Sequence, residues 1–273
     1  MLHPSDFFSL EMFAHKALFD RCEIVWEVLS RIASYIREVQ THLESRFPSS
    51  TTCDGVKVFQ AQGGRRSSKE VMLTVEHGLY ASHDLFFKDL GIFIGKGTVI
   101  EAGVVIKPLT IIGENNEIRQ GAYLRGEIIT GVGCVIGHTT EVKNSLLLDD
   151  VEAAHFAYIG DSVVGNHANL GAGTRLANLQ LRTREERETK KVRPITIHIE
   201  GKEYQTGLTK FGAILGDYVE TGCNSVTSPG TLIGQESWVY ANTTVPKGLY
   251  PGHAIISSEG RKVNLARKRR TSP

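Results

Sequence analysis

Aliphatic residues recur every six positions along the middle of the chain, at Ile94, Ile100, Ile106, Ile112, Ile118 and Leu124, and then at Ile136, Val142 and Leu148. Between 94 and 148 only Thr130 departs from the pattern. Four residues after these slots stand mostly small or β-branched side chains: Thr98, Val104, Thr110, Ala122, Cys134 and Thr140. A helix repeats every 3.6 residues and a strand every two, so neither generates a period of six. A coil with three short flat sides does, because each side then turns one aliphatic and one smaller side chain inward. Gly95, Gly113 and Gly137, beside the aliphatic slots, suit corners with unusual backbone dihedrals. The rhythm slips between Ala154 and Ile159, resumes at Val164, Leu170 and Leu176, and returns after an interruption at Leu215, Thr221, Thr227, Ile233, Val239 and Val245. At roughly eighteen residues per coil the repeated length predicts about seven coils.

The flanks read differently. Val25, Val28, Leu29, Ile32, Ile36, Val39 and Leu43 fall three and four apart, the stripe of an amphipathic helix, and a shorter helix is expected before it. PSSTTCDG breaks that periodicity, and Val56 to Val75 reads as strands or loop around a Gly63-Gly64-Arg65-Arg66 turn. Residues 1–85 are therefore expected to form a helical cap and residues 86–256 the repeat domain. Within the repeat, residues 179–210 begin charged (RTREERETKK) and then alternate at Ile195, Ile197 and Ile199 before Glu200-Gly201, which predicts an extruded loop with a β-hairpin. Residues 257–273 read as a basic, solvated tail.

A formal net charge of +1 gives no overall basic field, so neither nucleic acid nor an anionic membrane is implied as partner. No apolar run is long enough for a membrane span, and the start MLHPSDFFSL lacks the layout of a secretory signal, so a cytoplasmic location is expected. Cys22, Cys53, Cys134 and Cys223 stand far apart and form no cluster with the histidines, so free thiols and no metal are expected.

The run Glu117 to Asn178 contains HFAYIGDSVVGNHANLGAGT, and likeness continues through KFGAILGDYVETGCNS to VTSPGTLIG. Over about Ile94 to Pro251 the chain resembles hexapeptide-repeat acyltransferases, and among them the glucosamine-1-phosphate N-acetyltransferase domain of archaeal-type bifunctional sugar-1-phosphate enzymes. The resemblance implies a mainly β chain, a left-handed parallel β-helix with a small N-terminal helical domain, assembled as a homotrimer with sites between neighbours. It implies acetyl-CoA as co-substrate and an amino-sugar phosphate as acceptor. His155 matches the family's general base, in keeping with an imidazole's ordinary pKa of about 6.5. Arg125 and Lys143 match its phosphate-binding cations; eighteen residues apart, they are expected to stack on one face about 4.8 Å apart. Two solvated surface charges would be the plainer reading.

Tyr158 and Asn169 match residues that hydrogen-bond the sugar phosphate, and Asn178 an asparagine near the reacting amine and acyl group. Asparagine also suits tight corners in its own right. Cys223, after Gly222, falls where the family presents a backbone N–H to the thioester carbonyl, and Ala241 where a small residue lies against the coenzyme. Lys210 stands where a basic residue often approaches substrate, Lys190 or Lys191 could enter a neighbour's groove, and Arg261 or Lys262 could meet the coenzyme's phosphates. Gly171-Ala172-Gly173-Thr174-Arg175 looks like a nucleotide-binding loop but is read as a coil corner, because Leu170 and Leu176 stay in frame. The N-terminal 85 residues are too few for a nucleotidyltransferase domain, so that step would belong to a separate chain. The alternative to an enzyme is a non-catalytic module that binds sugar nucleotide or serves as a trimeric scaffold for such a partner.

Overall fold

A computed structural model describes residues 2–61, 70–259 and 262–267. The six-residue rhythm produces three parallel sheets, the walls of a β-helix, visited in the order C, B, A on every coil. Wall C comprises Ile92–Ile94, Thr110–Ile112, Ile128–Thr130, Ser145–Leu147, Val163–Val164, Ala213–Leu215, Thr231–Ile233 and Gly248–Tyr250. Wall B comprises Val99–Ile100, Glu117–Ile118, Val135–His138, Glu152–His155, Asn169–Leu170, Glu220–Thr221, Trp238–Val239 and Ala254–Glu259. Wall A comprises Val105–Ile106, Tyr123–Leu124, Glu141–Lys143, Tyr158–Gly160, Arg175–Leu176, Val226–Thr227 and Thr244–Val245. The aliphatic slots fill one buried column from Ile94 to Ile256. The expected class, a parallel β-helix with helices at its N-terminus, is the one observed.

Register locates the slip more closely than the sequence did. Tyr123 pairs with Glu141 eighteen residues on, whereas Glu141 pairs with Tyr158 after only seventeen. Wall C shortens likewise, Ile129 pairing with Leu146 and Leu146 with Val163. A residue is lost at each of two A-to-C corners, at Asn144 (φ 43°) and Asp161 (φ 47°). Short polar side chains tolerate this left-handed backbone, which tightens the corner. The slip therefore begins ahead of Ala154, and the inward slot falls on Leu147 instead of Leu148, which packs with the outer cluster.

The N-terminal residues join that outer cluster. Phe7, Phe8, Phe13, Phe19, Trp26, Ile32 and Ile36 bury against the outward side of wall C at Ile111, Ile129, Leu146, Val163, Ile214 and Leu232. The expected helix from Val25 is a 3-10 segment, Val25–Ser30, followed by α1, Ile32–Arg46. Val25, Trp26, Val28 and Leu29 are all buried, so apolar contact surrounds this stretch more widely than one amphipathic stripe.

The interruption of the repeat carries α2, Arg184–Thr189, capped by Thr183 and Glu186, and a hairpin of Thr196–Ile199 with Lys202–Gln205. Ile195, Ile197 and Ile199 of that hairpin also close over wall C. Val56–Ala61 and Glu70–Val75 pair antiparallel and extend wall A past Val105–Ile106; the glycine-arginine turn expected between them lies outside the described residues. At the other end, Lys262–Arg267 pairs antiparallel with Ala254–Glu259 and extends wall B, so this part of the basic tail is a strand. No helix among the described residues is long and apolar enough to cross a membrane.

Candidate active site

Arg125 follows Tyr123–Leu124 and Lys143 ends Glu141–Lys143, one coil on. The Arg125 amide donates to the Val142 carbonyl at 2.8 Å, and Leu124 is in register with Val142. The two cations thus stack on wall A at its C-side edge, as their spacing predicts. Lys107 extends the row one coil earlier, its amide donating to Leu124 O at 2.8 Å. Each cation already has a carboxylate. Arg125 Nη1 lies 2.6 Å from Glu141 Oε1, Lys143 Nζ 3.4 Å from Asp161 Oδ1 and Lys107 Nζ 2.7 Å from Glu70 Oε2. The carboxylates relieve the repulsion that stacking alone would create, so an incoming phosphate must exchange with them.

Tyr158 and Asn178 converge on the same edge, over Gly160. A Cβ at Gly160 would stand 2.6 Å from Asn178 Nδ2 and 2.7 Å from Tyr158 Oη, so only glycine leaves both side chains where they are. Burial raises the Tyr158 pKa, with Glu141 and Asp161 adding to it and Arg125 and the Asn178 amide opposing. The phenol is thus held neutral, able to donate a hydrogen bond. Asn178 Nδ2 donates to Asp161 Oδ2, and Asp161 Oδ1 also accepts from Asn144 Nδ2 at 2.9 Å.

His155 sits at the opposite edge of wall A, on the corner where wall B ends. It is exposed, and it is in register with His138 one coil earlier. His138 Nδ1 lies 2.9 Å from Gln120 O; the carbonyl can only accept, so Nδ1 is the donor. The Phe156 ring packs on both imidazoles, with centroids 5.5 Å from His138 and 6.2 Å from His155.

The corner ladder continues through Gly173 N to His155 O at 2.9 Å, Asn224 N to Ala172 O at 2.8 Å and Asn242 N to Cys223 O at 2.9 Å. His155, Ala172, Cys223 and Ala241 therefore form one column, a coil apart at each step. Beside it Gly171 and Gly222 keep wall B low: a Cβ on Gly171 would stand 2.8 Å from Cys223 N and 2.7 Å from Gly222 C. The Cys223 amide has no acceptor among the described residues. The result is a narrow shelf of small side chains and an unused N–H, leading to an exposed imidazole.

The remaining candidates stand apart. Asn169 is on the outer side of wall B, between Glu152 and Glu220. Lys210 is exposed just before Phe211, whose amide donates to Asn178 O at 2.9 Å, so it lies at the Asn178 end of the site. Lys190 and Lys191 are exposed in the extruded segment. Arg261 lies outside the described residues, as does the side chain of Lys262. Gly171–Gly173 is a coil corner, its glycines pressed against the next coil at Thr221–Asn224. One chain thus gathers Arg125, Lys143, Tyr158 and Asn178 at one edge of wall A and His155, Cys223 and Ala241 along the other.

Sequence reasoning assigned no role to Glu141, Asp161, Asn144, Lys107 or His138. Asp161, Asn144 and Lys107 have a signal in their spacing, since Asn144, Asp161 and Asn178 stand seventeen apart and Lys107, Arg125 and Lys143 eighteen. Among the described residues no group of three or more His, Cys, Asp and Glu side chains could hold a metal ion.

Residues 111–233 match the family model of the GMPPB C-terminal domain. A bifunctional sugar-1-phosphate nucleotidylyltransferase/acetyltransferase of Sulfurisphaera tokodaii is 34% identical over 164 residues, which is 54% of this chain and 39% of that protein. The bifunctional protein GlmU of Methanococcus aeolicus is 29% identical over 187 residues, 64% of this chain and 43% of that protein. The chain thus spans about two fifths of the length of these curated relatives. A solved UDP-N-acetylglucosamine acyltransferase of Francisella novicida superposes over 64% of this chain and 59% of its own, at a TM-score of 0.40 and 14% identity. The chain is a hexapeptide-repeat protein that resembles the bifunctional sugar-1-phosphate nucleotidylyltransferase/acetyltransferases and GlmU proteins.

Proposed function

We propose that this chain is an acetyl-CoA-dependent N-acetyltransferase whose acceptor is an amino-sugar 1-phosphate, glucosamine-1-phosphate or a close isomer. The observation that carries the reading is the pairing of two edges within one band of coils. One edge has stacked cations with a neutral phenol and an amide; the other has an imidazole at the head of a shelf of small residues.

A phosphate exchanging with Glu141 and Asp161 would meet Arg125 as a two-pronged donor and Lys143 as a point charge. His155 would take the proton that the amine loses as its nitrogen bonds to the acyl carbon and the carbon–sulfur bond breaks. The Cys223 amide would donate to the carbonyl oxygen as charge grows on it. Direct attack needs no covalent intermediate, so the Cys223 thiol has no part. Wall C is covered by the chain's own N-terminal segment and hairpin, which leaves walls A and B to meet neighbours. In a trimer an outer wall B residue such as Asn169 would then face a wall A edge of the next protomer.

The carboxylates already on Arg125 and Lys143 favour one competing reading, a scaffold in which these charges only fasten coils together. Thiol release from acetyl-CoA with glucosamine-1-phosphate, and calorimetry with coenzyme A, separate the two. The enzyme binds coenzyme A and releases thiol, and His155→Ala abolishes release while the assembly persists. A wild-type chain that neither binds coenzyme A nor releases thiol is the scaffold.

A further inference from the structure

Asp161 is buried, 4% exposed, at a corner of the coil, and everything its carboxylate touches belongs to the edge just described. Asn144, Asp161 and Asn178 occupy the same corner in three successive coils, seventeen residues apart, so their side chains form a ladder with the carboxylate in the middle. Asp161 Oδ1 accepts from Asn144 Nδ2 at 2.9 Å and from Lys143 Nζ at 3.4 Å; Oδ2 accepts from Asn178 Nδ2. From this geometry we infer that Asp161 is the positioning residue of the acceptor edge, fixing which way the Asn178 amide faces and where the Lys143 ammonium rests. The inference rests on the proposed acetyltransferase reading.

The polarity follows from donor and acceptor inventory. A carboxylate has no proton to give, so the asparagine atom facing it must be Nδ2, which leaves Asn178 Oδ1 as an unused acceptor. Tyr158 Oη stands beside this amide, sharing the space over Gly160. The direction therefore runs from the carboxylate through the amide. It presents an outside ligand with an acceptor, Asn178 Oδ1, next to the Tyr158 phenol. An asparagine at 161 would keep the left-handed corner, which asparagine tolerates, but would face at least one of its three donors with an N–H of its own.

The test compares the wild type with Asp161→Asn, Asn178→Ala and the double variant, by steady-state kinetics in both substrates, and adds a crystal structure of Asp161→Asn. The positioning role predicts that Asp161→Asn lowers kcat/KM for the amino-sugar phosphate by about 10- to 100-fold, the worth of a charged hydrogen bond. It leaves the KM for acetyl-CoA unchanged. The double variant then loses less than the product of the two single losses, because the part of the Asp161 effect that acts through Asn178 is already gone while the part that acts through Lys143 remains, and Asn178 is rotated in the crystal. Losses that multiply in the double variant, equal damage to both KM values, or an unmoved Asn178 would overturn it. If Asp161→Asn does not assemble, Asp161→Ser, short and uncharged, takes its place under the same criteria. A wild type with no transferase activity sinks the functional reading instead, and the crystal structure alone then decides the role of Asp161.

Discussion

Replacing Gly160 with alanine tests the candidate site where it is most crowded. The new methyl would stand 2.6 Å from Asn178 Nδ2, 3.0 Å from Asn178 Cγ and 2.7 Å from Tyr158 Oη, while ordinary contact begins at 3.4 Å. Each polar end must therefore retreat by about 0.7 Å. Tyr158, only half-buried, has room to swing outward; Asn178 is tied to Asp161 and buried, so its retreat strains that bond. Overpacking of this size costs about 1–3 kcal/mol in stability, which for a chain of this length lowers Tm by about 2–10 °C. Misplacement of a positioning group approaching 1 Å lowers kcat/KM by roughly 100-fold. Thermal unfolding by circular dichroism measures the first and thiol release the second. If Gly160→Ala keeps kcat/KM within twofold of wild type and leaves Tm unchanged, the crowding over residue 160 is not as described and the acceptor edge is misassigned.

Three further outcomes are expected. Cys223 is exposed while Cys22 and Cys134 are buried, and burial pushes the Cys134 thiol up to about 12, so a maleimide at neutral pH should label Cys223 first and Cys134 only after unfolding; mass spectrometry showing native labelling at Cys134 refutes the burial. His15, packed between Phe13 and Tyr35, has its pKa lowered by burial to about 4, so it is neutral when folded and takes up a proton on unfolding. Stability should be full above pH 6.5 and fall as pH drops toward 4, by at most about 3 kcal/mol and less for the partial exposure of the ring. Denaturant titrations at both pH values should show a smaller loss in His15→Gln; an equal loss would acquit His15. Removing residues 1–47 uncovers Ile111, Ile129, Leu146, Val163, Ile214 and Leu232, and size-exclusion chromatography should show aggregation where the full chain is a discrete species; a well-behaved truncated chain would show that the wall needs no cover.

The six-residue rhythm was legible because each inward slot must be aliphatic, and Ile94 to Leu124 declare it without interruption. The same rhythm misled at Leu148, since a residue dropped at a corner leaves no mark when the neighbours are also leucines: Leu146, Leu147 and Leu148 all fit the slot by type. Stacking of Arg125 on Lys143 could be read from spacing. Their pairing with Glu141 and Asp161 could not, because it depends on side-chain reach between coils. The cover over wall C was hidden for another reason. Ile111, Ile129 and Leu146 alternate with the inward slots and look like parts of a strand buried on both faces, but nothing in their pattern says that Phe7, Phe13 and Trp26 will lie on them. His155, Cys223 and Ala241 came to notice through resemblance, and only coil register shows that they share a column.

The N-terminal segment bears on how the molecule comes apart. A stack of coils touching only nearest neighbours can fray from either end, one rung at a time. Here the Ser9 amide donates to Asp217 at 2.7 Å, Asn166 Nδ2 donates back to Ser9 O at 2.9 Å, and Trp26 packs on Tyr204 and Phe211. Phe93, near the first rung, and Leu249, near the last, belong to the same apolar cluster. A strap of this kind couples the two ends, so losing a terminal rung also disturbs the middle, and unfolding should be a single cooperative event instead of a progressive unwinding.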